Sequence, residues 1–132
     1  MRRGIAVVVA IILIISAAVP ASASVIPRYS HTDMVYSRLS IDNFWGVATC
    51  EGELLAYDDV PVEIKVYLQV HKDGEWQTVK SWYASDMMHV YTSKTYAIYR
   101  GYEYRTYVVG YVYNSSGYLV EIVDGAHSMW YN

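Results

Sequence analysis

The sequence predicts an all-β protein: a seven-stranded antiparallel β-sandwich that follows a cleaved export leader. Three observations carry this expectation. Apolar and polar side chains alternate with a period of two, most clearly over Val62–His71. Turn-forming clusters recur roughly every 8–12 residues, the spacing of short strands in a sandwich. Helical periodicity is hard to find after the first apolar run.

That first run belongs to the leader. Arg2 and Arg3 precede an apolar stretch from Ile5 to Ile15, and a small-residue segment ends at Ala21-Ser22-Ala23. Together these form the charged, apolar and cleavage regions of a secretory signal peptide. Pro20 stops an apolar helix and leaves an extended segment for a peptidase, with cleavage after Ala23. Residues 1–23 are therefore expected to be removed, leaving a single domain over 24–132. An uncleaved anchor is the alternative, but Ile5 to Val19 falls short of the ~18–20 residues a membrane-spanning helix needs. No second apolar run follows, so no stable membrane span is expected after processing. The product is expected to be secreted, free or associated with the cell wall.

The chain carries a net charge of −3, and the leader holds two of its ten basic residues and none of its 13 acids. The processed chain is more acidic still. Such a surface repels phosphate backbones, and with no basic cluster a nucleic-acid partner is not expected.

In chain order, the strands are expected at Asp33 to Ile41, Phe44 to Leu54, Val62 to His71, Glu75 to Tyr83, Met87 to Tyr99, Tyr102 to Tyr113 and Tyr118 to about Trp130. Asp42-Asn43 separates the first two, and Tyr57 to Pro61 the next. In the third, Val62, Ile64, Val66, Leu68 and Val70 interleave with polar residues. Asp73-Gly74 then supplies two positive-φ positions for a tight hairpin into the fourth. Ala84-Ser85-Asp86, Arg100-Gly101 and Asn114-Ser115-Ser116-Gly117 separate the remaining strands, and Asp124-Gly125 is expected to bend the last. Asn114-Ser115-Ser116 fits a glycosylation pattern but is read here as a turn. A closed barrel is the competing arrangement.

One segment favours the sandwich. Gly101-Tyr102-Glu103-Tyr104-Arg105-Thr106-Tyr107-Val108 resembles the sixth strand of a fibronectin type III domain. The resemblance to the immunoglobulin and fibronectin type III sandwiches implies that the Tyr104 hydroxyl bonds back to the preceding corner. Immunoglobulin domains place a core cysteine two residues later, where this chain has Thr106. Cys50, the single cysteine, falls where the other half of that disulfide would lie, so no intramolecular bridge is possible and a buried, inert thiol is expected.

A second likeness runs through Ala48-Thr49-Cys50-Glu51-Gly52, Leu68-Gln69 ahead of Asp73-Gly74-Glu75-Trp76, Val79-Lys80-Ser81-Trp82, and Gly101-Tyr102-Glu103-Tyr104-Arg105. In order and spacing these resemble small exported proteins of Gram-positive bacteria, a group without an established activity. The resemblance implies location and fold, and it names no site.

Chemistry-bearing constellations are scarce. His31, His71, His89 and His127 form no His-x-x-x-His pair, and Cys50 has no second cysteine to share a metal. Asp58-Asp59, with Glu51 and Glu53 nearby, lacks calcium-loop spacing and reads as a solvated turn. The chain is expected to be non-catalytic, with no metal and no cofactor.

The unusual feature is aromatic: 15 Tyr and 4 Trp against one Phe. A buried hydroxyl without a partner costs ~1–3 kcal/mol, so many of these rings should reach solvent. If Tyr104, Thr106, Val108, Gly110 and Val112 face inward, then Arg105, Tyr107, Val109, Tyr111 and Tyr113 face outward. Tyr67 shares that sense on the third strand, and Phe44 is expected in the core with Tyr104. Tyr67, Arg105, Tyr107, Tyr111 and Tyr113, joined by Trp76 or Trp82, thus form a candidate face for stacking on a cell-wall polysaccharide or a partner protein. The competing reading is cross-strand packing that only stabilises the sheet. A small hydrolase using loop carboxylates and a secreted antagonist or toxin-like protein are the functional alternatives.

Overall fold

A computed structural model describes residues 29–132. The expected leader, with its cleavage after Ala23, lies outside the described residues.

Seven strands follow in order: β1 (Thr32–Asp42), β2 (Val47–Ala56), β3 (Pro61–Lys72), β4 (Glu75–Met87), β5 (His89–Ala97), β6 (Tyr102–Tyr113) and β7 (Leu119–Tyr131). They form two antiparallel sheets, one ordered β1-β2-β5 and the other β4-β3-β6-β7. The protein is therefore all-β, with two layers.

Alternation decides which residues fill the space between the layers. β2 contributes Ala48, Cys50, Leu54 and Ala56, β3 contributes Val62, Ile64, Val66, Leu68 and Val70, and β6 contributes Tyr104, Val108 and Val112. A one-residue slip in β3 would turn five apolar side chains to water, so the pattern pins the register Val66↔Val108 and Val66↔Trp82. Two glycines let the layers close. A Cβ at Gly52 would lie 2.7 Å from Val66 Cγ2, and one at Gly110 would lie 2.6 Å from Leu54 Cδ1. Each sheet therefore yields space where the other brings a branched side chain.

The β3–β4 hairpin turns on Asp73 (φ 54°) and Gly74 (φ 77°), the two left-handed positions expected of Asp-Gly. At the β5–β6 corner, the Tyr104 hydroxyl donates to the Tyr99 carbonyl at 3.1 Å and accepts from the Tyr99 N–H at 3.0 Å. One buried phenol thus satisfies both polar groups of a corner residue. The β6–β7 turn is organised by Asn114, whose Oδ1 accepts from the N–H groups of Ser116 and Tyr118, both at 3.0 Å.

Two expectations need correction. β2 begins at Val47, and Phe44 lies in the β1–β2 turn at 82 % exposure, outside the core. Asp42 Oδ1 accepts from the Phe44 and Trp45 N–H groups at 3.0 and 3.1 Å, and Gly46 (φ 66°) completes the reversal. Ala84-Ser85-Asp86 does not end β4, because the partner strand β3 is long enough to pair its Ile64, Glu63 and Val62 with these three residues. The chain changes sheet at Met88 (φ 62°), whose N–H donates to Val60 O and whose carbonyl accepts from Ala56 N–H. Asp124-Gly125 leaves the β6–β7 pairing unbroken, and the register shift falls at Val112/Tyr113.

The two flanks of the sandwich differ. On one, β1 is laced to β6 and β7: the Ser37 hydroxyl donates to Thr106 O on β6 at 2.8 Å, and Leu39 N–H donates to His127 Nδ1 on β7 at 2.9 Å. On the other, Trp82 and Tyr96 pack edge to face at 6.5 Å between β4 and β5. There Lys80 opposes buried Leu68, and Lys94 opposes buried Cys50. Charged residues at inward positions of edge strands discourage pairing with a second molecule.

Candidate functional site

β3 and β6 are neighbours, so the five candidate residues share the outer face of the four-stranded sheet. Tyr67 and Tyr107 are direct cross-strand partners with ring centroids 6.0 Å apart and planes 33° apart. Tyr111 pairs with Glu63, and Tyr113 donates its hydroxyl to Glu63 Oε2 at 2.9 Å. Tyr107 donates to Asp124 Oδ2 on β7 at 2.9 Å. All five side chains are half-buried, because each ring covers its neighbours.

Burial followed by the nearby Asp124 charge pushes the Tyr107 phenol up. Burial and the hydrogen bond to Glu63 push Tyr113 up to about 12. Burial likewise raises Tyr111, with Tyr67 and Glu63 adding to it. The face therefore presents protonated phenols, hydrogen-bond donors committed to carboxylates on adjacent strands.

Arg105 stands at the centre of the aromatic group. Its Cζ lies 4.6 Å from the Trp76 ring centroid and 4.8 Å from that of Tyr107, and its Nε donates to Gln69 Oε1 at 2.7 Å. Burial lowers its pKa, while Tyr107 and Asp124 act in the opposite sense. Trp76 thus belongs to this face. Trp82 does not, since it opposes buried Val66 and packs against the core.

The acids singled out in the sequence are dispersed. Asp58 and Asp59 are exposed in the β2–β3 loop, whereas Glu51 and Glu53 lie on the outer face of the three-stranded sheet. Glu53 pairs with His89, and Glu51 accepts the Tyr91 hydroxyl at 3.2 Å. The histidines answer to different neighbours: His71 packs on Trp76 at 5.0 Å, and His127 accepts from β1. Among the described residues, no three His, Cys, Asp or Glu side chains gather where they could hold a metal ion. Cys50 is buried, and burial raises its thiol pKa with partial offset from Thr106, whose hydroxyl has no oxygen or nitrogen partner.

A second aromatic group was missed in the sequence. Phe44 and Trp45 meet edge to face at 4.9 Å, exposed 82 % and 74 %. Arg100 ties this turn to the β5–β6 corner and the C-terminus by donating to Asn43 O and Asn132 O, and so brings exposed Tyr99 and Trp130 to the same pole. The signal was the frame Asp42-Asn43 before and Gly46 after the pair, which marks a turn more strongly than two aromatic residues mark a strand.

No protein-family model matches the sequence, and no curated protein matches it.

Proposed function

We propose that this chain is an exported, non-catalytic binding domain of the immunoglobulin or fibronectin type III kind, which engages a cell-surface polysaccharide through the outer face of its four-stranded sheet. The strand order of the two sheets and the hydroxyl of Tyr104 at the β5–β6 corner support the fold assignment. Export rests on the leader read in the sequence and on the likeness to small exported Gram-positive proteins.

The observation that carries the binding reading is the contiguous array of Tyr67, Tyr107, Trp76 and Arg105, lying on an open sheet face that no other element of residues 29–132 covers. Broad rings with polar rims suit the C–H faces of sugars. The hydrogen bonds to Asp124 and Glu63 hold Tyr107 and Tyr113 in place, so little side-chain freedom is lost when a ligand lands.

The test is co-sedimentation with peptidoglycan and a panel of insoluble polysaccharides, comparing the wild type with Tyr107→Ala/Tyr111→Ala. Binding to at least one polymer, weakened tenfold or more by the double substitution, is the expected result. Binding to none, or binding unchanged by the substitutions, refutes the assignment.

A second reading is favoured by the exposure of Phe44 and Trp45, which places the ligand surface at the turn pole. In that case Phe44→Ser/Trp45→Ser abolishes sedimentation and the tyrosine pair does not.

A further inference from the structure

The guanidinium of Arg105 is held without being neutralised. Of its donors only Nε–H is engaged, to the neutral amide oxygen of Gln69. Among the described residues neither terminal Nη group has a protein acceptor, and no carboxylate lies within salt-bridge distance of the guanidinium. This occurs in a chain with 13 acids and ten bases, where counter-ions are plentiful. Asp124, the nearest carboxylate influence, accepts the Tyr107 hydroxyl.

We infer that Arg105 is the receptor for a carboxylate carried on a sugar ring, so that the polysaccharide bound by this face is an acidic one of the uronic-acid class. This rests on the reading of the tyrosine face given above and names its ligand. Two rings and the Gln69 amide fix the guanidinium, leaving its two Nη groups, unpaired among the described residues, as a planar fork. A carboxylate presents two coplanar oxygens that match such a fork with two parallel hydrogen bonds. Tyr107, one member of the Tyr67–Tyr107 pair, lies against the guanidinium, and the attached sugar ring would stack on that pair. Lys65 adds a second positive charge on the same face, one strand away.

The remaining charges set the selectivity. Asp124, Glu63 and Glu103 share this face and repel a dense run of anions, so a polyphosphate meets two cations among carboxylates. One carboxylate per sugar, spaced along a chain of rings, fits better.

The experiment measures binding of the purified protein to polygalacturonate, to the same polymer highly methyl-esterified, and to poly-glutamate, with Arg105→Gln and Arg105→Lys as variants checked for folding by circular dichroism. The expected result is at least tenfold tighter binding to polygalacturonate than to its ester. That preference should disappear in Arg105→Gln, be partly retained in Arg105→Lys, and weaken as salt is added. Equal binding of acid and ester, or a preference that survives Arg105→Gln, overturns the inference. The binding reading itself survives that outcome if Tyr107→Ala/Tyr111→Ala still abolishes binding to both polymers. Poly-glutamate binding as tightly as polygalacturonate overturns the saccharide assignment. If no polymer in this set or in the neutral panel binds, the broader reading falls as well.

Discussion

The two aromatic regions of this molecule use the same residue types to opposite ends. On the sheet face, Tyr67, Tyr107 and Tyr113 are half-buried, and the Tyr107 and Tyr113 hydroxyls are bonded to Asp124 and Glu63. At the turn pole, Phe44, Trp45 and Tyr99 are mostly exposed, and the backbone around them is held by Asp42 and Arg100. A ring placed in a strand acquires neighbours on two adjacent strands. A ring in a turn acquires only the one beside it. The first arrangement stabilises the fold whether or not a ligand exists, whereas the second contributes little to it.

Stability measurements can break this contrast. The largest effect is expected for Tyr107→Ala, which removes a half-buried ring, its stack with Tyr67 and Arg105, and the bond to Asp124; urea unfolding should show a loss of about 2 kcal/mol. A loss below about 0.5 kcal/mol would mean that the face is ornamental to the fold and the contrast is wrong.

Alkaline titration comes next. Tyr107 and Tyr113 hold their protons more tightly in the folded chain than in the unfolded one, where a phenol ionises near its ordinary value of 10. The stabilisation is complete below pH 10 and is lost as pH rises towards the folded value, about 12 for Tyr113. Denaturant midpoints should therefore fall over that window, less steeply in Tyr113→Phe and as steeply as wild type in Phe44→Ser/Trp45→Ser.

A smaller loss, about 1 kcal/mol, is expected for Asp42→Ala, which leaves two turn N–H groups to water. The smallest belongs to Phe44→Ser/Trp45→Ser, within about 0.5 kcal/mol of wild type. A larger cost there would show that the pole packs against something it does not touch in this structure.

The legibility of these regions in the sequence followed the same divide. Val62 to Val70 could be read directly because alternation is a local property, and it places Tyr67 on the outer face at once. Tyr104 could be read because a corner tyrosine bonds only five residues back, to Tyr99. Phe44 was misread because a short side-chain bond from Asp42 outweighed the strand preference of two aromatic residues. The true end of β4 was hidden because the length of its partner decides it, and Ala84-Ser85-Asp86 carry no mark of that. The setting of Arg105 needed residues from three strands. Gln69, Trp76 and Tyr107 meet it only once β4, β3 and β6 stand side by side.

One substitution deep between the layers separates this domain from covalently stapled sandwiches. Cys50 on β2 faces Thr106 on β6, so a methyl and a hydroxyl stand where a second sulfur would close a bridge. Folding then needs no oxidant and no disulfide exchange, and reducing agents have no intramolecular bridge to attack. Such a domain can mature whatever the redox conditions it meets, and Thr106→Cys would give that independence up.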